Sequence, residues 1–231
     1  GVRAGGGKLI PDHELAIAPP GGGPRLSGLE TRDPTFGLPA FWIRRELKDQ
    51  AQVSGYTVVD AASVVVTHLT DILRRFAPDL LARQHTQEML DAVASTQPKL
   101  VSEVVPEAIS LGGVQKVLQN LLKEGIPVRD LPAILEGIAE AVGHTKNALY
   151  ITEHVRARLA RQLCHGNLSH SGYLSLIALS PAWEQAFAES IVGQGEERQL
   201  AMAPSQLQQF IQQVRECFDE ASGKNEVPVM L

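Results

Sequence analysis

The sequence has no apolar run long enough to cross a membrane, no signal-peptide pattern at its start, and only two cysteines. Cys164 and Cys217 stand far apart, outside any CxxC spacing, so they suit free thiols in a reducing compartment. Aromatic residues make up 5% of the chain, so aliphatic side chains must build most of the core. Basic residues are also in short supply. The net charge of −5 gives no footprint for nucleic acid, which needs a basic face. Arg44, Arg45 and Lys48, and again Arg156, Arg158 and Arg161, read as solvated helix faces.

Catalytic motifs are missing as well. A phosphate loop needs GxxxxGK[ST], but Gly7-Lys8 is followed by Leu9, and Val2 stands where the first glycine belongs. No GxSxG elbow occurs, and Ser169-His170-Ser171-Gly172 reads as a loop. Cys164, His165 and His170 are the best metal-ligand candidates, but a site needs three or four convergent ligands and no fourth partner is evident. Glu136 and Glu140, like Glu103 and Glu107, are spaced i,i+4 as on the wet face of a helix. The expectation is a protein that is not an enzyme and holds no metal or cofactor.

What the sequence does hold is helical periodicity. At 231 residues it exceeds the usual single-domain size. Residues 1–39 are rich in Gly and Pro, with a short strand expected over residues 14–18 and ended by Pro19 and Pro20. A helix is expected over residues 40–54, then a strand at 56–59. Asp60 is set to cap a helix whose stripe runs through Val64, Val65, Leu69, Ile72, Leu73 and Phe76, closed by Pro78. Residues 78–165 read as five helical segments. The first carries Leu80, Leu81 and Leu90, and the last runs from Leu149 to Leu163. After Cys164 the pattern changes to a small α/β unit. It has a strand at 172–179, a helix opened by Ser180-Pro181, breaks at Gly193 and Gly195, a helix from Pro204, and a strand ending at Leu231. The fold class expected is α/β in several subdomains, mostly helical.

Residues 33–43 read Asp-Pro-Thr-Phe-Gly-Leu-Pro-Ala-Phe-Trp-Ile. Two prolines and a glycine force an irregular path, and Phe36, Leu38, Phe41 and Trp42 fall close together. Such a segment either plugs a core or lines a groove, and composition favours the core. Asp33 could serve simply to cap a turn before Pro34.

This segment resembles the signature of the flagellar type III export gate family, the FlhA family. Gly55-Tyr56-Thr57-Val58-Val59-Asp60 and Thr67-His68-Leu69 follow it at the family's spacing. So do Pro98-Lys99-Leu100-Val101, Gln115 to Leu122, Arg129-Asp130-Leu131, Thr145-Lys146 and Val155-Arg156. The resemblance runs from about residue 3 to the end. It implies the family's C-terminal cytoplasmic domain, with four subdomains: residues 1–11 with 61–80, an inserted 12–60, a helical 81–160, and an α/β 161–231. The first and last of these would be incomplete. It also implies a docking platform that binds flagellar export chaperones with their substrates and orders export. The homologous virulence injectisome gates are the alternative. A chaperone-binding dimple would fall on Ile17, Pro19, Asp33, Phe36 and Thr67. Other export-apparatus proteins, a ring of copies, and a membrane anchor in a missing N-terminal half are further implied. The location would be the cytoplasmic face of the bacterial inner membrane.

Overall fold

A computed structural model of the chain describes residues 3–19, 21–193, 198–224 and 226–230. Pro20, Gly195 and Leu231, which figure in the expectations above, lie outside the described residues. The chain divides into two compact units, residues 1–82 and 83–231.

The first unit is built on a four-stranded sheet. Its strands are β1 (His13–Ile17), β2 (Leu29–Arg32), β3 (Pro39–Arg44) and β4 (Thr57–Asp60), in the antiparallel order β2-β3-β1-β4. A short helix α1 (Lys48–Val53) covers one face, where Ala16, Ile43, Ala51 and Tyr56 form a core. The long helix α2 (Ala61–Leu80) covers the other, where Val64 packs on Leu15, Ala40 and Trp42.

Two expectations fail here for physical reasons. Residues 40–44 are strand rather than helix, and Arg45–Leu47 form only a 3₁₀ turn before α1. A strand covered on both faces reads as an unbroken apolar run, which periodicity cannot tell from a buried helix. The basic trio is accordingly split: Arg44 ends β3, Arg45 lies in the turn and Lys48 opens α1. Pro78 does not close α2, which continues to Leu80. Proline removes one i→i−4 bond and crowds the carbonyl four residues before it, which weakens the last turns of α2 without ending the helix at residue 77. Leu80 therefore ends α2 rather than opening the next helix.

Asp60 caps α2 as its position suggests. Its Oδ1 accepts from Ser63 N at 2.9 Å and its Oδ2 from Ser63 Oγ at 2.7 Å. These bonds, led by the one from the backbone, hold its carboxyl below the usual carboxylate range.

The second unit opens with a helical array: α3 (Arg83–Ala94), α4 (Pro98–Val104), α5 (Leu111–Lys123), α6 (Leu131–Val142), α7 (Ala148–Arg158) and α8 (Ala160–Gly166). The expected helix over 149–163 is thus two, parted at Leu159. The most buried of these is α6, with Ile134, Leu135 and Ile138 fully enclosed. Gly137 lets α7 approach closely, since a Cβ there would stand 3.3 Å from Val155 Cα. One buried polar link joins α5 to α7. Asn120 Nδ2 donates to Thr152 Oγ1 at 3.2 Å, and Thr152 Oγ1 donates to Ala148 O at 2.6 Å.

Past α8 the structure thins to β5 (Leu176–Ile177), α9 (Pro181–Ser190), β6 (Ile191–Val192), β7 (Gln199–Leu200), α10 (Pro204–Gly223) and β8 (Val229–Met230). The strand expected over 172–179 shrinks to two residues, paired in parallel with β8. Gly172, at φ +79°, closes a turn whose Ser169 Oγ accepts from Tyr173 N, so the chain is still turning there. Trp183 and Phe187 of α9 hold α10 by meeting Phe210 edge-on, with ring centroids 5.2 and 4.9 Å apart. The mostly helical α/β class expected from sequence is the class observed.

Two outcomes follow. Thr152→Val leaves the Asn120 amide buried without its acceptor and should lower unfolding stability by about 1–3 kcal/mol, read from the urea midpoint, with Thr152→Ser close to wild type. On the surface, the hydrogen bond from His154, followed by the charge of Arg158, holds Glu140 below its ordinary value of 4.5. A depressed carboxylate stabilises the fold above its ordinary value and loses that contribution as pH falls through the folded one. Glu140→Gln should therefore lower the thermal midpoint slightly at pH 7, with the gap to wild type closing below about pH 4. A gap that holds constant through that range would count against it.

Candidate docking site at one end of the sheet

The cross-strand register decides which residues meet. Ile17 pairs with Ala40 and, on its other side, with Thr57. Ala18 N donates to Pro39 O at 2.9 Å, and Arg32 pairs with Pro39. The end of β1, the start of β3 and the end of β2 therefore share one end of the sheet, with residues 33–38 linking β2 to β3.

That link is a tight turn. Asp33 N donates to Leu38 O at 2.8 Å, and Gly37 N to Asp33 O at 2.9 Å. The Asp33 carboxylate, 5% exposed, accepts from Thr35 N at 3.1 Å and Phe36 N at 2.5 Å through Oδ2. This is the Asx-type turn cap weighed in the sequence, realised by a side chain turned inward. Gly37 sits at φ +71°, which a residue with a Cβ adopts only under strain. With its polar groups satisfied from within, the turn projects its apolar residues outward. Phe36 is 69% exposed and Leu38 45%.

The preference for a buried Phe36 is thus overturned. The four large groups divide: Trp42 is buried, Phe41 is half-buried and meets Tyr56 edge-on at 6.2 Å, and Phe36 and Leu38 face solvent. Ile17 is half-buried against the Leu15–Trp42 cluster. Pro19 is half-buried too, and a Cβ on Gly55 would stand 3.8 Å from its Cγ.

Thr67 is exposed on α2, one helical turn beyond buried Val64. Its neighbour His68 lines an apolar groove of about 250 Å³ with Pro34, Leu9, Val65 and Leu69. Both His68 ring nitrogens are buried there, with no hydrogen-bond partner among the described residues. Thus Ile17, Pro19, Asp33 and Phe36 share one end of the sheet, and Thr67 stands on α2 beside a groove that the turn also lines through Pro34.

The other candidates are placed less suggestively. Cys164 and His165 lie in α8 and His170 in the turn beyond it. Among the described residues, no group of three His, Cys, Asp or Glu is placed to hold a metal ion. Glu136 and Glu140 both pair with Arg158, and Arg156 pairs with Glu124 at 2.9 Å and Glu153 at 3.0 Å. Those acids and arginines largely answer one another. No helix among the described residues is long and apolar enough to cross a membrane. Sequence reasoning missed Arg32, whose Nη1 donates to Gly37 O at 2.8 Å. Its only signal was its place at the end of a short strand, just before Asp33.

A profile of the FHIPEP family matches residues 1–231. The chain belongs to the FHIPEP family. It is 46% identical over 230 residues to the flagellar biosynthesis protein FlhA of Caulobacter vibrioides, and 36% identical over 231 residues to that of Salmonella typhimurium. In both cases it is matched along its whole length but spans only 33% of the relative. Among solved structures, the Chlamydia pneumoniae CdsV protein shares the fold at TM-score 0.73 and 22% identity. That match covers 91% of this chain and 61% of the other. Nonameric EPEC SctV-C matches at TM-score 0.67 and 20% identity, covering 90% of this chain and 63% of the other. The family resemblance read from residues 33–43 and the motifs after them is therefore correct.

The turn's own chemistry can be tested directly. Asp33→Ala removes the acceptor for two amides. It should speed hydrogen exchange at Thr35 and Phe36 and cost about 1 kcal/mol in the urea midpoint. Unchanged exchange would show that the carboxylate does not hold the turn.

Proposed function

We propose that this chain is part of the cytoplasmic portion of a flagellar protein export gate, where it docks export chaperones carrying their substrates and helps to order their export. Its role is recognition, and no catalytic step is assigned to it. One observation carries this reading. Phe36 is an exposed aromatic on a turn that its own hydrogen bonds hold in place, beside half-buried Ile17 and Pro19. Rigid exposed aromatics beside shallow apolar surface are what protein partners use as anchors, because little ordering entropy remains to be lost on binding. Asp33 then acts from within the turn, by setting the direction in which Phe36 points. Thr67 offers a hydroxyl beside the groove.

The flagellar assignment follows the relatives named FlhA. The same surface in a virulence injectisome gate is the second reading, favoured by the fold shared with EPEC SctV-C and the EscV cytosolic domain. Both of those are nonameric, which supports assembly of the parent protein into a nine-membered ring. CdsV has been solved together with CdsO, which supports contact with other export-apparatus proteins. The parent would reach the inner membrane through a part outside these residues and hold this part on the cytoplasmic side.

The test is titration calorimetry with a flagellar chaperone–substrate complex from the same bacterium. Phe36→Ala, checked for fold by circular dichroism, should weaken binding by about tenfold or more, the scale of a buried aromatic anchor. A folded variant that binds as well as wild type would remove Phe36, and with it the proposed surface.

A further inference from the structure

Most of the bonds that close the 33–38 turn begin or end at Asp33. One comes from a different side chain. Arg32 is the last residue of β2, and its backbone is held in the ladder opposite Pro39. Its guanidinium crosses the turn and donates from Nη1 to Gly37 O at 2.8 Å. Gly37 is the turn's most permissive residue, at φ +71° and, among the described residues other than its chain neighbours, with no heavy atom within 4 Å of the place a Cβ would take. It also lies between the two exposed apolar groups, Phe36 and Leu38. A tether from the sheet to this carbonyl limits the freedom of the one residue through which both groups could swing.

We infer that Arg32 is a positioning residue for docking: its guanidinium pins Gly37 O to the sheet and so keeps Phe36 and Leu38 in the orientation a partner protein meets. The inference rests on the docking reading above. Arg32 is exposed and its bond is open to water, so it adds little to folding stability. Its effect lies instead in how much of the free protein is ready to bind. If only a fraction of molecules presents the turn correctly, the apparent affinity falls by that fraction.

The experiment compares wild type, Arg32→Ala, Arg32→Lys and Phe36→Ala. Binding of the chaperone–substrate complex is measured by calorimetry, amide exchange at Gly37 and Leu38 by NMR, and stability by urea unfolding. Arg32→Ala should weaken binding about three- to tenfold and speed exchange in the turn, with the urea midpoint unmoved. Arg32→Lys should recover part of both, since an ammonium can still donate one bond to the carbonyl. If Arg32→Ala binds and exchanges like wild type while Phe36→Ala loses binding, the role of Arg32 falls and the docking surface stands. An affinity loss without faster exchange also overturns it, because Arg32 would then act by touching the partner. If folded Phe36→Ala binds like wild type, the docking reading fails and the role of Arg32 fails with it.

Discussion

Strand β3 carries Ala40 and Trp42 toward one face of its sheet and Phe41 and Ile43 toward the other, so neither face can be left to water. Much of the first unit answers that constraint. On one face α2 lays Val64 against Trp42 and Leu15. On the other, α1 brings Ala51 to Ile43, and Tyr56 closes over Phe41. The Tyr56 hydroxyl then donates to Pro24 O at 3.0 Å, which draws the glycine-rich stretch before β2 onto that same face. Burying Trp42 and Ile43 fully contributes about 1.5–3 kcal/mol each, enough to outweigh the helical leaning of the residues after them.

The exposed turn is a consequence of the same strand. Because Pro39 and Arg32 must pair across the ladder, the six residues between them cannot join the sheet and must close on themselves. Asp33 makes this possible by turning its carboxylate inward to meet two amides. The interior of the turn is thus spent on hydrogen bonds, and its apolar side chains have nowhere to go but outward. An exposed Phe beside an exposed Leu weighs against solubility, and the hydrogen bonds of the turn leave neither side chain an inward path.

Much of this was legible in the sequence, but unevenly. The cap at Asp60 and the helix start at Ser180 were legible because capping is local chemistry, and each side chain accepts from a backbone amide three residues on. The buried stripes of α5 and α6 were legible because the helical period survives burial. β3 was not, because burial on both faces erases the alternation that marks a strand. Phe36 was misplaced for a related reason. Hydrophobicity forecasts the side of the surface on which a residue falls only when the backbone leaves it a choice, and the turn at 33–38 leaves none. The residues of the candidate site came from the family resemblance. Their physical arrangement, above all the crossing of Arg32 to Gly37, depended on cross-strand register that no local pattern encodes.

The two halves of the second unit show how such patterns lose force as a core thins. In α5 and α6 several leucines, isoleucines and valines fall to zero exposure and follow the apolar periodicity, whereas in α7 Ile151 and Val155 are enclosed but Leu149 is 66% exposed. Past α8, no residue of α9 or α10 is fully buried, and the strands shrink to two-residue pairs. There Trp183 and Phe187, meeting Phe210 edge-on, hold two helices together where aliphatic burial does not. A parallel two-stranded pair such as β5 and β8 cannot satisfy both of its edges by itself.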